Sequence, residues 1–296
     1  MVNLMILSGI VLLTCIISSK IFYKWGVPVL LVFIIIGMLF GSDGIGGIYF
    51  DNYNITYSLS SIALVFIMFY GGFCTEWKKA RSVAIPSIML STLGVIITAG
   101  LTGLFCHFVL KTSIFEGLLL GCIVASTDAA SVISILRSRN LKLKNNIDTL
   151  VEFESGSNDP TAYMLTSVML IFITSNESVG IGLLGMIFKQ IVFGVTVGLF
   201  LSKLAVFILR KVEFEIEGLY PIFTITVAIL AYSISEFLGG NGYLSVFIAG
   251  IVMGNSKIPH KKSLNHFFDG LSWIMQIILF FMLGLLAFPS QLPSIA

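Results

Sequence analysis

The chain has 296 residues, of which 57% are hydrophobic and 11% charged, and its formal net charge is +2. Soluble globular proteins carry about 25% charged residues, so this composition excludes a water-soluble domain. Apolar runs of about 20 residues recur, and in lipid only helices or closed barrels satisfy the backbone hydrogen bonds of such runs. The basic residues are spread over several loops and form no single patch, so no nucleic-acid partner is expected. The sequence predicts an all-α polytopic membrane protein.

Ten membrane spans are predicted in chain order. Their approximate bounds are 4–22, 27–41, 57–74, 83–109, 114–137, 147–174, 182–209, 218–238, 242–254 and 268–287. Loops after odd-numbered spans hold 14 of the 17 lysines and arginines, whereas loops after even-numbered spans hold only Lys111. By the positive-inside rule the odd loops face the cytoplasm and the N-terminus faces outside. We therefore expect a multi-pass protein of the plasma (inner) membrane.

An internal repeat relates the first spans to the last ones. Gly37 and Gly41 of span two return as Gly250 and Gly254 of span nine, and a Val-Phe-Ile triplet precedes each pair. The glycine offset of 213 also places span one on span eight and span three on span ten. Because the two copies enter the membrane from opposite sides, the pattern predicts the inverted repeat of secondary transporters.

The repeat divides the chain into three predicted parts. Residues 1–174 form a first repeat of six spans, residues 175–217 a linker span, and residues 218–296 three spans of a second repeat. A second repeat as long as the first needs about six spans, and the same offset carries Val83, where span four begins, onto residue 296. We therefore expect about ten of thirteen spans, the front part of a longer transporter.

Two polar clusters interrupt spans five and six. They read Ser126-Thr127-Asp128 and Glu154-Ser155-Gly156-Ser157-Asn158-Asp159-Pro160. A carboxylate near the bilayer midplane costs at least about 2.5 kcal/mol, so such groups usually face a cavity and handle an ion or a proton. The hydroxyls of the first cluster compete with helical hydrogen bonds, and Pro160 disfavours helix at Asp159. The clusters predict one oxygen-rich site for a hard cation, with Asp128 and Asp159 as its carboxylates.

Asp159 is predicted to bind a cation and a proton in competition. Desolvation and a nearby like charge both disfavour a charged carboxylate, so either a proton or a cation can neutralise it. Such competition is the minimal mechanism of an antiporter. A cation channel stays open as an alternative, and so, with less support, does an intramembrane aspartyl protease using Asp128 and Asp159. The sequence contains no phosphate-binding glycine loop, so neither ATP-driven transport nor a cofactor is expected.

These motifs resemble those of the monovalent cation:proton antiporter family. Ser126-Thr127-Asp128, followed 26 residues later by Glu154-Ser155-x-x-Asn158-Asp159-Pro160, is similar to the branch with an Asn-Asp pair. Gly218-Leu219-Tyr220-Pro221 in span eight is most similar to the bacterial potassium/proton, cell-volume-regulation antiporters. The resemblance implies an inverted-repeat cation/proton antiporter fold and a transporter rather than an enzyme. It also implies a homodimer, with potassium or sodium and protons as substrates.

The resemblance also implies roles for individual residues. Asp159 and Asp128 would be the main ligands of the monovalent cation and the proton. Ser155 would be a side-chain ligand, and Thr127 would be a ligand through its backbone carbonyl. Asn158 would support Asp159. Glu154 and Pro160 would complete the supporting residues.

The sequence departs from the family pattern at two places. Related antiporters often carry an acidic residue where Tyr70 stands before two glycines, so Tyr70 is a possible modifier of cation selectivity or pH response. In relatives Glu154 pairs with an arginine on a late helix, a region that lies beyond this sequence. An unpaired buried Glu154 is expected to be protonated or to destabilise the bundle, which puts transport by the 296 residues alone in question.

Overall fold

Helices provide the regular structure of the chain in its computed structural model. The model describes residues 2–25, 27–128, 132, 136, 143–144, 146–175 and 181–294. Its α-helices are α1 (Val2–Trp25), α2 (Val29–Phe40), α3 (Tyr53–Cys74), α4 (Trp77–Met89), α5 (Val95–Val109), α6 (Ile114–Val124), α7 (Ile147–Ser175), α8 (Ile181–Lys211), α9 (Leu219–Phe237), α10 (Gly242–Asn255) and α11 (Lys261–Leu285). A π-helical turn, Leu90–Gly94, joins α4 to α5, and a 3-10 helix, Pro289–Ser294, follows α11.

Each of the ten predicted spans corresponds to a helix. Within the described ranges, six segments are long and apolar enough to cross a membrane: Met5–Phe22, Tyr53–Cys74, Trp77–Val109, Gly185–Lys211, Leu219–Phe237 and Lys261–Gln291. Three further apolar helices, α2, α6 and α10, have 12, 11 and 14 residues. The remaining span is α7, with 29 residues and the second acidic cluster. The prediction of an all-α polytopic membrane protein is confirmed.

The predicted fifth span is interrupted after Val124, and it is helical again at the described residues Val132 and Leu136. The sequence predicted helix over residues 114–137, but α6 ends at Val124 and residues 126–128 have no helical structure. Ser113 and Glu116 form a capping box that stabilises the first turn of α6. A poorly stabilised N-terminus is therefore not the reason that α6 ends at Val124. The hydroxyl of Ser126 donates a hydrogen bond to α7, and this contact competes with helix continuation. Most of the span beyond Asp128 lies outside the described residues.

The helix α7 continues through Pro160, in agreement with the predicted span 147–174, although a proline disfavours helix at the residue before it. Proline removes one backbone donor from a helix, but transmembrane helices tolerate it when side chains and neighbouring helices satisfy the freed groups. The hydroxyl of Ser157 donates to the carbonyl of Phe153 at 2.7 Å, and that of Thr161 donates to the carbonyl of Ser157 at 3.2 Å. These bonds support the turns on either side of Pro160.

The chain forms two compact units. The first comprises Met1–Ile67, Ala130–Lys142 and Asp269–Ala296, and the second comprises Met68–Ala129 and Leu143–Phe268. In the first unit α1, α2 and α11 share a buried apolar cluster around Cys15, Phe33 and Ile277. Gly37 of α2 lies directly against Gly284 of α11, because a Cβ at Gly37 would be 2.8 Å from the Gly284 Cα.

The second unit contains both acidic clusters. Its helices α3 and α10 cross at close range, since a Cβ at Gly250 would be 2.3 Å from the carbonyl oxygen of Phe69. A Cβ at Gly254 would be 2.1 Å from the carbonyl oxygen of Phe73. Small residues permit such close packing of membrane helices. The predicted offset of 213 would relate α2 to α10 and α3 to α11, and this crossing would then be the counterpart of the Gly37 contact in the first unit. The division of the chain into repeats stays a prediction.

Candidate functional site

The end of α6 and the middle of α7 pack together in the second unit. Cys122 and Ala125 share a buried apolar cluster with Ala162 of α7 and with Val95 and Ala99 of α5. This packing places the non-helical residues after α6 beside the turns of α7 that carry the second acidic cluster. The two polar clusters therefore lie side by side, as the sequence predicted.

Several hydrogen bonds join the clusters directly. The hydroxyl of Ser126 donates to the Oδ1 atom of Asp159. The hydroxyl of Ser155 donates to the backbone carbonyl of Thr127 at 2.8 Å. This carbonyl lies beyond the end of α6 at Val124. The side-chain oxygen of Ser155 and the carbonyl oxygen of Thr127, both predicted ligands, are thus neighbours.

Asn158 contacts Glu154 and Thr127, whereas the sequence predicted that it would support Asp159. Its Nδ2 atom donates to the hydroxyl of Thr127 and, at 2.9 Å, to Oε1 of Glu154. The Thr127 hydroxyl also donates to Oε2 of Glu154 at 3.3 Å. Residues 154 and 158 are i, i+4 neighbours on one helix face, which explains this contact. The carboxylate of Glu154 therefore has hydrogen-bond donors within the described part of the chain, and the expectation about its arginine partner stays a prediction.

Three acidic side chains are near one another. Asp128 and Glu154 both lie within electrostatic range of the Asp159 carboxylate, which is half-buried. Like charges at short range favour uptake of a positive charge, either a proton or a cation. Among the described residues, no three His, Cys, Asp or Glu side chains converge as a metal-binding group. A cation at this site would thus need the hydroxyl, amide and carbonyl oxygens as well as carboxylates.

One buried oxygen of the cluster has no hydrogen-bond partner among the described residues. It is Oδ1 of Asn158, whose side chain is fully buried. A buried acceptor without a partner costs roughly 1–3 kcal/mol. This oxygen is available to a bound ion or water beside the carboxylates of Glu154 and Asp159.

The remaining predicted residues lie on α7 and α3. Pro160 follows Asp159 inside α7, and its carbonyl accepts a hydrogen bond from the side chain of Asn241 at 2.9 Å. Tyr70 is half-buried in α3, directly before Gly71. Sequence analysis missed Asn241. An Asn-Gly pair at the start of a short apolar helix is an N-cap signal that could have identified it.

Comparison with known proteins decides the family. A family model described as the transmembrane sodium/hydrogen exchanger matches residues 9–295. The chain belongs to the sodium/hydrogen exchanger family. Members of this family are transporters, so the chain is not an enzyme.

Two relatives of this exchanger-family chain are named as potassium/proton antiporters. It is 40% identical over 292 residues to the K(+)/H(+) antiporter NhaP of Alkalimonas amylolytica, covering 98% of this chain and 51% of that protein. It is 38% identical over 291 residues to the K(+)/H(+) antiporter NhaP2 of Shewanella sp. strain ANA-3, covering 94% of this chain and 48% of that protein. The chain thus spans about half the length of the curated relatives it matches.

A solved structure matches the fold of the exchanger-family chain. It is the sodium proton antiporter MjNhaP1 from Methanocaldococcus jannaschii at pH 8, with a TM-score of 0.86 and 25% sequence identity. The match covers 99% of this chain and 73% of that one. The antiporter fold implied by the sequence motifs is confirmed.

Proposed function

We propose that the chain exchanges a monovalent cation for protons across the plasma (inner) membrane as a secondary active transporter. The observation that carries the proposal is the pair of hydrogen bonds between the polar clusters, Ser126 to Asp159 and Ser155 to the Thr127 carbonyl. They bring a carboxylate, two hydroxyls and a backbone carbonyl into one small region of the second unit. Membership of the sodium/hydrogen exchanger family supports the same function.

In the proposed mechanism, Asp159 is occupied by a proton or by a cation, but not by both. Asp128 supplies the second carboxylate of the site, and the oxygens of Ser155 and Thr127 complete the cation ligands. Occupancy by either substrate neutralises Asp159 and permits the site to be exposed to the other side of the membrane. Because the two substrates compete, inward movement of one drives outward movement of the other.

The residues around Thr127 have a supporting role in this mechanism. Asn158 holds the Thr127 hydroxyl and the Glu154 carboxylate together, so the chain direction at the end of α6 is fixed. A fixed backbone at Thr127 keeps its carbonyl directed at Ser155. Pro160 leaves one backbone position of α7 without a donor, next to the main carboxylate.

Potassium is the first cation to test. The relatives that are 38–40% identical carry potassium names, whereas the Na(+)/H(+) antiporter NhaS2 of Synechocystis sp. is 29% identical over 237 residues. Tyr70 is proposed to modify the choice between potassium and sodium. The proposal includes a homodimer, as the resemblance implies. It also places the N-terminus outside, on the asymmetry of lysines and arginines between loops.

The test is potassium- or sodium-dependent proton flux in everted membrane vesicles from an antiporter-deficient host. The variants are Asp159→Asn and a matched control, Asp148→Asn, which changes an exposed aspartate in the first turn of the same helix. Each is made in the 296-residue chain and in a chain extended with the C-terminal region of the Alkalimonas relative. We expect Asp159→Asn to lose the cation response and Asp148→Asn to retain it.

Two results would overturn the proposal. Retention of cation-dependent proton flux by Asp159→Asn would remove Asp159 from the site. Cation conductance at fixed pH without proton counterflow would instead favour the channel alternative. A response from the extended chain alone would show that the exchange needs residues outside these 296.

A further inference from the structure

A buried asparagine connects three helices of the second unit next to the acidic cluster. Asn241 is 2% exposed and lies directly before α10. Its Nδ2 atom donates to the carbonyl of Pro160 in α7 at 2.9 Å. Its backbone N–H donates to the carbonyl of Gln190 in α8, also at 2.9 Å. The same residue thus contacts α7 and α8 while it starts α10.

The side chain of Asn241 uses both ends of its amide. The Oδ1 atom accepts a hydrogen bond from the backbone N–H of Leu244 at 3.0 Å, which is the bond of a helix N-cap. The Nδ2 atom is therefore the end directed at Pro160. Serine and aspartate also cap helices well, but an ionised aspartate cannot donate, and serine is one atom shorter. Only an amide of this length accepts at the cap and donates to the neighbouring helix.

The position of Asn241 is fixed by tight packing as well as by hydrogen bonds. A Cβ at Gly194 of α8 would be 2.9 Å from the carbonyl oxygen of Asn241. Glu236, near the end of α9, accepts a hydrogen bond from the N–H of Gly242 at 2.8 Å and so supports the same helix start. The Nδ2 donor of Asn241 is consequently held in place by contacts with α8 and α9.

The carbonyl that Asn241 contacts belongs to the residue directly after Asp159. Pro160 lacks an N–H, so the carbonyl of Gly156, one turn earlier, loses its intrahelical donor. The bond from Asn241 to the Pro160 carbonyl ties this weakened turn of α7 to the start of α10. The neighbouring Asp159 carboxylate accepts a hydrogen bond from Ser126, so the orientation of this turn decides whether that contact is kept.

We propose that Asn241 is a positioning residue of the exchange site, acting through the Pro160 carbonyl on the orientation of Asp159. This inference rests on the proposed function. Loss of the donor leaves all proposed cation ligands in place but lets the Asp159 turn rotate. Partners that orient the ligands of a bound ion typically change its affinity by 10-fold to 100-fold when they are removed.

The experiment measures the cation dependence and the pH profile of proton flux. It uses whichever form, the 296-residue chain or the extended chain, shows cation-dependent flux in the test above. Asn241→Ser keeps a neutral cap acceptor and removes the long donor. Asn255→Ala is the matched control at the other end of α10, where the side chain donates to Thr75 and Ile251 and accepts from Trp77. We expect Asn241→Ser to raise the apparent KM for the cation by about tenfold and to shift the pH of half-maximal flux. The control is expected to change neither.

A second variant keeps the inference testable if Asn241→Ser is poorly produced. Asn241→Asp preserves shape and cap but places a carboxylate near the Pro160 carbonyl, so we expect a larger KM change. Wild-type KM and pH profile in an Asn241 variant would overturn the inference, and so would equal shifts in Asn255→Ala. Failure of both Asn241 variants to insert, when Asn255→Ala inserts, would assign Asn241 to folding alone. If Asp159→Asn loses flux and Asn241→Ser has the wild-type KM and pH profile, only the positioning role of Asn241 is refuted. If Asp159→Asn retains cation-dependent flux, the proposed function and the positioning role are both refuted.

Discussion

Two adjacent glycines of α3 provide a sharp test of the close crossing between α3 and α10. Gly72 is buried, and a Cβ there would be 2.2 Å from the carbonyl oxygen of Phe247 and 3.0 Å from the backbone N of Ile251. Gly71 is exposed, and a Cβ there would have no atom within 4 Å. The same substitution by alanine therefore has opposite consequences at neighbouring positions.

The loss of stability in Gly72→Ala can be estimated from the atoms that the added Cβ would contact. At Gly72 the nearest contact is about 1.2 Å short of the 3.4 Å at which ordinary contact begins, and both blocking atoms are backbone atoms that no rotamer change can move. Overpacking of this kind costs typically 1–3 kcal/mol, so the two helices must separate. Alanine gains about 0.8–1.0 kcal/mol of helix propensity over glycine at either position. The difference between the variants thus isolates the clash, about 1–3 kcal/mol.

The assay is thermal unfolding of the purified chain in detergent, followed by tryptophan fluorescence and size-exclusion chromatography. One kcal/mol corresponds to about 2–4 °C for chains of 150–250 residues, so Gly72→Ala should melt several degrees below Gly71→Ala. Gly71→Ala is expected to match or exceed the wild type. Equal midpoints for the two variants would refute the close crossing of α3 and α10.

Two further predictions concern a helix cap and a loop carboxylate. Ser113→Ala removes the capping box of α6 and is expected to lower stability by about 1 kcal/mol, measured as a lower unfolding midpoint, while an unchanged midpoint would contradict the cap. The backbone N–H of Ser290 donates to Asp43 at 2.8 Å and lowers the pKa of that carboxyl below its usual 3.8. Because the folded pKa is depressed, the contribution of Asp43 is present above that value and is lost as pH falls through the folded pKa. Unfolding midpoints between pH 6 and pH 3 should therefore fall less steeply in Asp43→Asn than in wild type, and parallel curves would contradict this.

The membrane spans were predictable because they depend on a local property. A bilayer requires about 20 apolar residues per helix, and runs such as Tyr53–Cys74 and Leu219–Phe237 show that requirement in the sequence itself. The acidic clusters were also predictable, because a carboxylate in an apolar run is costly and has few roles. Neither inference needed knowledge of which helices are neighbours.

The helix boundaries near the site were not predictable in the same way. The sequence predicted continuous helix over residues 114–137, whereas α6 ends at Val124. This interruption depends on bonds to groups elsewhere, such as the contact from Ser126 to Asp159. Local propensity cannot contain those bonds, because the partners are 33 residues apart.

The sequence by itself determined the class of protein, the helical spans and the positions of the acidic clusters, since lipid imposes strong local rules on composition. Only the tertiary structure decided the partners. It brought Asn158 to Thr127 across 31 residues of chain, and it brought Asn241 to Pro160 across 81 residues. The physical reason is that a buried hydrogen bond is short-ranged and directional, so its partner is chosen by helix packing and not by proximity in sequence.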